Sequence, residues 1–159
     1  IWEAIVKATN ADHQDAVSAL KAIHEARDLL HKAIVINPQA MSGSAYVTLG
    51  TLYYMAPKWS IGFGDEATAE KLLQTALKIN PNGIDSNYFY GDFLLSNNRL
   101  NEAEKYFKRA IAVPARTEQA YADNQLKEDA KRALKNTKER KISSTKSLFA
   151  SLFNSESVK

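Results

Sequence analysis

The chain has 159 residues, 45% hydrophobic and 25% charged, with a formal net charge of +3 and no cysteine. That is the length of one domain with enough apolar mass for a core, and the missing thiols exclude disulfides, zinc–thiolate sites and thiol catalysis. No apolar run reaches the roughly 18 residues of a membrane span, so the chain is not expected to cross a bilayer.

Residues 1–9 read as a short helix with Trp2, Ile5 and Val6 on one side. Asn10, Ala11 and Asp12 break it, and Asn10 or Asp12 is the expected N-cap of the second helix. From about 13 to 36, Val17, Leu20, Ile23, Leu30 and Ile34 recur near the helical period, and Pro38 closes the pattern. Met41–Ser44 is a turn, with Ser44 as cap of a helix over 45–55. The stretch Ala56–Asp65 holds two glycines and a proline among aromatics and reads as a structured loop. Gly62 and Gly64 are expected to supply positive φ there.

Asp65 or Thr68 starts a helix running to about Ile79, and Pro81-Asn82-Gly83 is a strong turn signal. Asp85 or Ser86 caps a helix over 87–96, and Asn101 caps one over 102–112, which Pro114 ends. The last helix, about 117–140, carries Ala120, Leu126, Ala130, Ala133 and Leu134 between charges. It reads as a capping helix, because the end of a stacked array needs a polar outer face. Its lysines and arginines, Lys127 to Lys141, read as a solvated face with a favourable dipole end; no arginine–aromatic interleaving points to nucleic acid. Residues 141–159 shift to Ser, Thr and Lys around Leu148, Phe149, Leu152 and Phe153, and read as a tail with a short apolar helix or as disordered. No strand pattern appears, so the fold is expected to be all-α.

One phrase recurs three times: HEARDLLHKAIVINP (24–38), TAEKLLQTALKINP (68–81) and NEAEKYFKRAIAVP (101–114). Each carries a small–bulky–small triplet before its proline: Ala26, Leu30, Ala33; Ala69, Leu73, Ala76; Ala103, Phe107, Ala110. Such self-similarity marks a repeat architecture. With Tyr90-Gly91 and Leu94 ahead of the third triplet, and Tyr46, Leu49-Gly50 and Tyr53 ahead of the second, the chain resembles the tetratricopeptide-repeat family across roughly 21–114. Gly91 and Ala103 would let two helices approach closely, and Phe107 would fill the gap between hairpins. Sixteen positions separate Tyr53 from Ala69, against nine between Leu94 and Ala103, so seven extra residues sit in the Pro57–Asp65 loop. The resemblance implies a short right-handed α-solenoid of TPR-like helix hairpins over 1–140. Its units span about 13–38, 43–81 and 84–114, with an inserted loop in the second and a C-terminal capping helix.

The resemblance also places the site. The first helix of each pair lines the concave face of such folds, which puts Val47, Thr51 and Tyr54, then Tyr88, Asp92 and Leu95, in a partner groove. Aromatic rings there suit an extended peptide or helix. Some family members grip a partner's C-terminal carboxylate with lysine and asparagine, but the matching positions here are Val47, Thr51, Tyr88 and Asp92, so that clamp is absent. Trp59 and Phe63 make the loop either a lid over the groove or a plug on its own repeat. The knot at Leu148, Phe149, Leu152 and Phe153 could dock into a groove of this chain or a neighbour, or touch a membrane.

Catalytic and metal patterns are thin. His24 and His31 lie seven apart on one helix face and read as a solvated pair, and His13 stands alone. No carboxylate pair, nucleophile elbow or phosphate loop is present, so neither an enzyme nor a cofactor site is expected. The expected function is a scaffold for a protein or peptide; a small-ligand-binding helper of a transport system is the alternative. The segments 46–73 and 82–95 are also similar to bacterial envelope repeat proteins distantly related to the periplasmic T component of TRAP transporters. That similarity implies export to the periplasm or envelope, with the cytoplasm as the other possibility. Beginning at Ile1, the chain reads as a processed or trimmed product, compatible with a removed export signal.

Overall fold

The computed structural model describes residues 1–11, 15–58 and 60–155, with side chains to Ser147. Seven α-helices make up the described fold: α1 (Trp2–Asn10), α2 (Ala16–Ile36), α3 (Ser44–Met55), α4 (Glu66–Ile79), α5 (Ile84–Ser96), α6 (Leu100–Ala112) and α7 (Ala120–Ser155). Short 3₁₀ turns at Ala40–Gly43 and Thr117–Gln119 lead into α3 and α7. The described residues form no strand, only an isolated bridge between Lys58 and Gly64.

The prolines set the unit boundaries. A residue before proline is pushed out of the helical region. Asn37 (φ −154°, ψ 99°), Asn80 (φ −134°, ψ 78°) and Val113 (φ −69°, ψ 133°) each leave it, so α2, α4 and α6 stop in the same way. The starts are less uniform. Asp15, rather than Asn10 or Asp12, caps α2 by accepting from the amides of Val17 and Ser18. Asp65 caps α4, accepting from Thr68 N at 2.9 Å. The helices α3, α5 and α6 begin after Gly43, Gly83 and Arg99 with no side-chain cap, so Ser44, Asp85, Ser86 and Asn101 do not cap as expected. Ser86 instead donates its hydroxyl to Asn80 O at 2.7 Å and pins the preceding turn.

Helices pair in order: α1 with α2, α3 with α4, α5 with α6; α7 packs on both α5 and α6. The first unit therefore starts at α1 and not near residue 13. Ala4 of α1 is fully buried in one cluster with Ala26 and Leu30 of α2 and Ala45, Leu49 and Leu52 of α3. The second cluster holds Ala69, Leu73, Tyr90, Phe93, Leu94, Ala103, Phe107, Ala110 and Ala130. Eight of the nine triplet residues are fully buried, and only Ala33 is partly exposed. The small residues permit the close crossings. A Cβ on Gly50 would sit 2.7 Å from Leu73 Cγ, and one on Gly91 would sit 2.9 Å from the Phe107 ring. Glycine and bulky partner thus recur in both hairpins.

A further position repeats. The residue after the first alanine of each triplet reaches into the next unit, beyond α5 for Glu70 and within α7 for Glu104. Glu70 pairs with Arg99, and Glu104 pairs with Lys141 at 2.8 Å. In the first unit the residue is Arg27, and its guanidinium lies 4.9 Å from the centre of the Phe63 ring. A cation–π contact occupies the place that ion pairs take in the later units.

Candidate groove on the first-helix face

Tyr54 joins neighbouring units. Its hydroxyl donates to Asp92 Oδ2 at 2.6 Å, and its ring meets Phe93 edge-on at 5.7 Å between centroids. Tyr54 lies on α3 and Asp92 on α5, so the bond spans two first helices. The registers agree because the two residue sets sit at the same offsets from Gly50 and Gly91. Burial first, then the Asp92 charge, pushes the Tyr54 phenol well above the usual phenol range.

Tyr88 stands one turn before Asp92. Phe89, 5.1 Å away edge-on, and Phe107, 6.0 Å away, hold its ring. Burial and the charges of Asp92 and Asp129 raise its phenol to about 12, with Arg132 opposing. Asp129 and Arg132 pair with each other on α7. The seventh helix therefore contributes charge to this face as a third first-helix, beyond its expected capping role. The signal lies in proline spacing: six positions separate Pro38 from Ser44 and Pro114 from Ala120.

The expected residues divide by exposure. Thr51, Tyr54, Tyr88 and Asp92 are half-buried and line the face. Val47 and Leu95 are 4% and 7% exposed, so they support it from below and offer no contact surface. The Leu95 carbonyl is also taken, accepting from Arg140 of α7 at 3.1 Å. The Thr51 hydroxyl donates back to Val47 O at 2.9 Å.

The loop after α3 packs on the other side of that helix. Phe63 meets His24 of α2 at 5.0 Å and Tyr53 at 5.2 Å, both edge-on, beneath Arg27. It is a plug between α2 and α3 and does not cover Tyr54 or Asp92. Trp59 lies outside the described residues. Neither Gly62 nor Gly64 has positive φ. Each is glycine because backbone passes too close for a Cβ: one on Gly62 would lie 2.5 Å from Pro57 O, and one on Gly64 2.2 Å from Ala56 O. Gly64 N donates to Pro57 O and Asp65 N to Tyr53 O, which closes the loop onto the end of α3.

Residues 60–123 match the family model described as tetratricopeptide repeat. That segment is TPR-like. No curated protein matches it. The matched segment runs from the loop through α4, α5 and α6 into α7, and thus contains Tyr88 and Asp92. Tetratricopeptide repeats generally mediate protein–protein interaction.

Among the described residues, no group of three histidines or carboxylates is arranged to hold a metal. His31 faces Tyr53, with ring centroids 6.5 Å apart. Open depressions lie along Lys141, Ile142, Thr145 and Lys146, and between α1 and α2 around Val6 and Lys21; neither lies under the loop. Most α7 cations have partners: Lys127 donates to Val113 O, Lys131 pairs with Glu128, and Lys141 with Glu104. No described helix is long and apolar enough to cross a membrane. The helix runs unbroken past Lys141 to Ser155, and Ser143 to Ser147 are exposed. The side chains of Leu148, Phe149, Leu152 and Phe153, the residues expected to self-associate, lie outside the described residues.

Proposed function

We propose that this chain is a non-catalytic scaffold that holds a protein or peptide segment against α3, α5 and α7. The Tyr54–Asp92 bond supports this reading most directly. It ties two units together at the groove surface and leaves a preformed patch of two tyrosines, Thr51 and one carboxylate. Rigid aromatic rings lose little entropy when a partner docks, which makes such a patch an efficient anchor. A partner bound by the wild type should be lost by the Tyr54→Ala/Tyr88→Ala double variant, with the melting curve by circular dichroism still cooperative. Equal retention by a folded double variant would remove the groove assignment. Placement in the cell envelope belongs to the same reading and rests on the similarity to envelope repeat proteins. Fractionation of cells expressing the native gene tests it, and an entirely cytoplasmic signal would overturn it.

A further inference from the structure

Thr51, Tyr54 and Asp92 offer a partner acceptors only. The Thr51 hydroxyl has given its proton to Val47 O, and the Tyr54 hydroxyl has given its proton to Asp92. Asp92 has no proton to give. Each of these three side chains can therefore only accept from a partner. Among the described residues no lysine or arginine forms an ion pair with Asp92, and Arg132, whose charge reaches Tyr88, is engaged by Asp129. Only Oδ2 has a partner, so Oδ1 is open. Tyr54 bonds this carboxylate and Tyr88 stands one helical turn before it, so aromatic side chains adjoin the charge.

Building on the proposed groove function, we infer that the partner segment carries a lysine or arginine between apolar residues, and that its cationic head docks on Asp92 beside Tyr54 and Tyr88. An ammonium brings three donors and a guanidinium five, and neither brings an acceptor. A donor-rich cation complements the charged Asp92 and the acceptor oxygens of Thr51 and Tyr54 beside it. The apolar neighbours match the aromatic side chains that adjoin the carboxylate.

The test is a selection from a phage-displayed random peptide library on immobilised wild type, Asp92→Asn and Tyr88→Ala. Asparagine at 92 keeps an acceptor for Tyr54, and a thermal melt confirms that each variant folds. Peptides selected by the wild type should be enriched in Lys or Arg at one position flanked by apolar residues. A synthetic consensus peptide should lose about tenfold in affinity for Asp92→Asn, the scale of a charge-assisted hydrogen bond. Replacing its basic residue with norleucine should weaken binding to the wild type but not to Asp92→Asn. Peptides that depend on Tyr88 yet show no basic preference, or that bind Asp92→Asn equally well, would overturn the cation and leave the groove standing. Peptides indifferent to both substitutions, or a library that yields no binder, would remove the groove and this inference with it.

Discussion

The second and third hairpins are built alike inside and joined differently outside. Each buries a glycine against a bulky residue, Gly50 on Leu73 and Gly91 on Phe107. Their connections differ: residues 56–65 join α3 to α4, whereas only 97–99 join α5 to α6. The crossing survives a longer connection because it is set by side-chain volume at the helix contact. The extra residues are used elsewhere. They carry Phe63 back to Arg27 and His24, the place where a charged residue holds each later junction. One architecture thus accepts an aromatic and a cation, or two opposite charges, at the same structural position.

The largest effect should come from emptying the shared crossing. Phe107→Ala should cost about 3–5 kcal/mol and Leu73→Ala about 2–5 kcal/mol in chemical denaturation, since both side chains are fully buried. A tolerated Leu73→Ala would break the equivalence of the two hairpins. Filling the crossings is next. Ala76→Leu and Ala110→Leu should each overpack by about 1–3 kcal/mol, because both positions are fully buried. Full tolerance at both would refute the register.

The bond between the hairpins gives a smaller effect. Tyr54→Phe keeps the ring and removes the donor to Asp92, and should cost about 1 kcal/mol. The junctions should then separate by their response to acid. Lys108 first, and then Lys141, hold Glu104 at about 2, against an ordinary value of 4.5. A carboxyl lowered on folding stabilises fully above its unfolded value and loses that contribution as pH falls through its folded value. Stability should therefore fall between about pH 4.5 and pH 2, and Glu104→Gln should flatten that part of the profile. Arg27 also holds the neighbouring Asp28 carboxyl below its ordinary range, so the Arg27–Phe63 junction is better probed from its aromatic side: Phe63→Leu should leave the acid slope unchanged while making the loop easier to cleave in limited proteolysis. Any acid dependence in that variant's loop cleavage beyond the wild type's would undo the contrast.

The repeat triplets were legible because each combines helical spacing with a volume pattern, and burial of Ala69, Leu73 and Ala76 is its direct consequence. Of the face that the resemblance implies, the half-buried positions of Thr51, Tyr54, Tyr88 and Asp92 follow from their matching offsets from the two glycines. The burial of Val47 and Leu95 was not legible, because it depends on neighbouring helices; α7 in particular reaches over Leu95 through Arg140. The role of Ala4 was hidden as well. Its helix lacks the signature glycine, and only packing against Leu30 shows that α1 completes the first unit.

By itself the sequence determined where α2, α4 and α6 stop and the packing register of the triplets. Proline acts on the residue before it, and a small residue four before a bulky one defines a helix face whatever surrounds it. The tertiary structure decided which side chains remain free to meet a partner. Whether Tyr54 gives its proton to Asp92, whether Phe63 covers the groove or fills a junction, and whether Asp129 reaches Tyr88 all depend on distances between helices far apart in the chain.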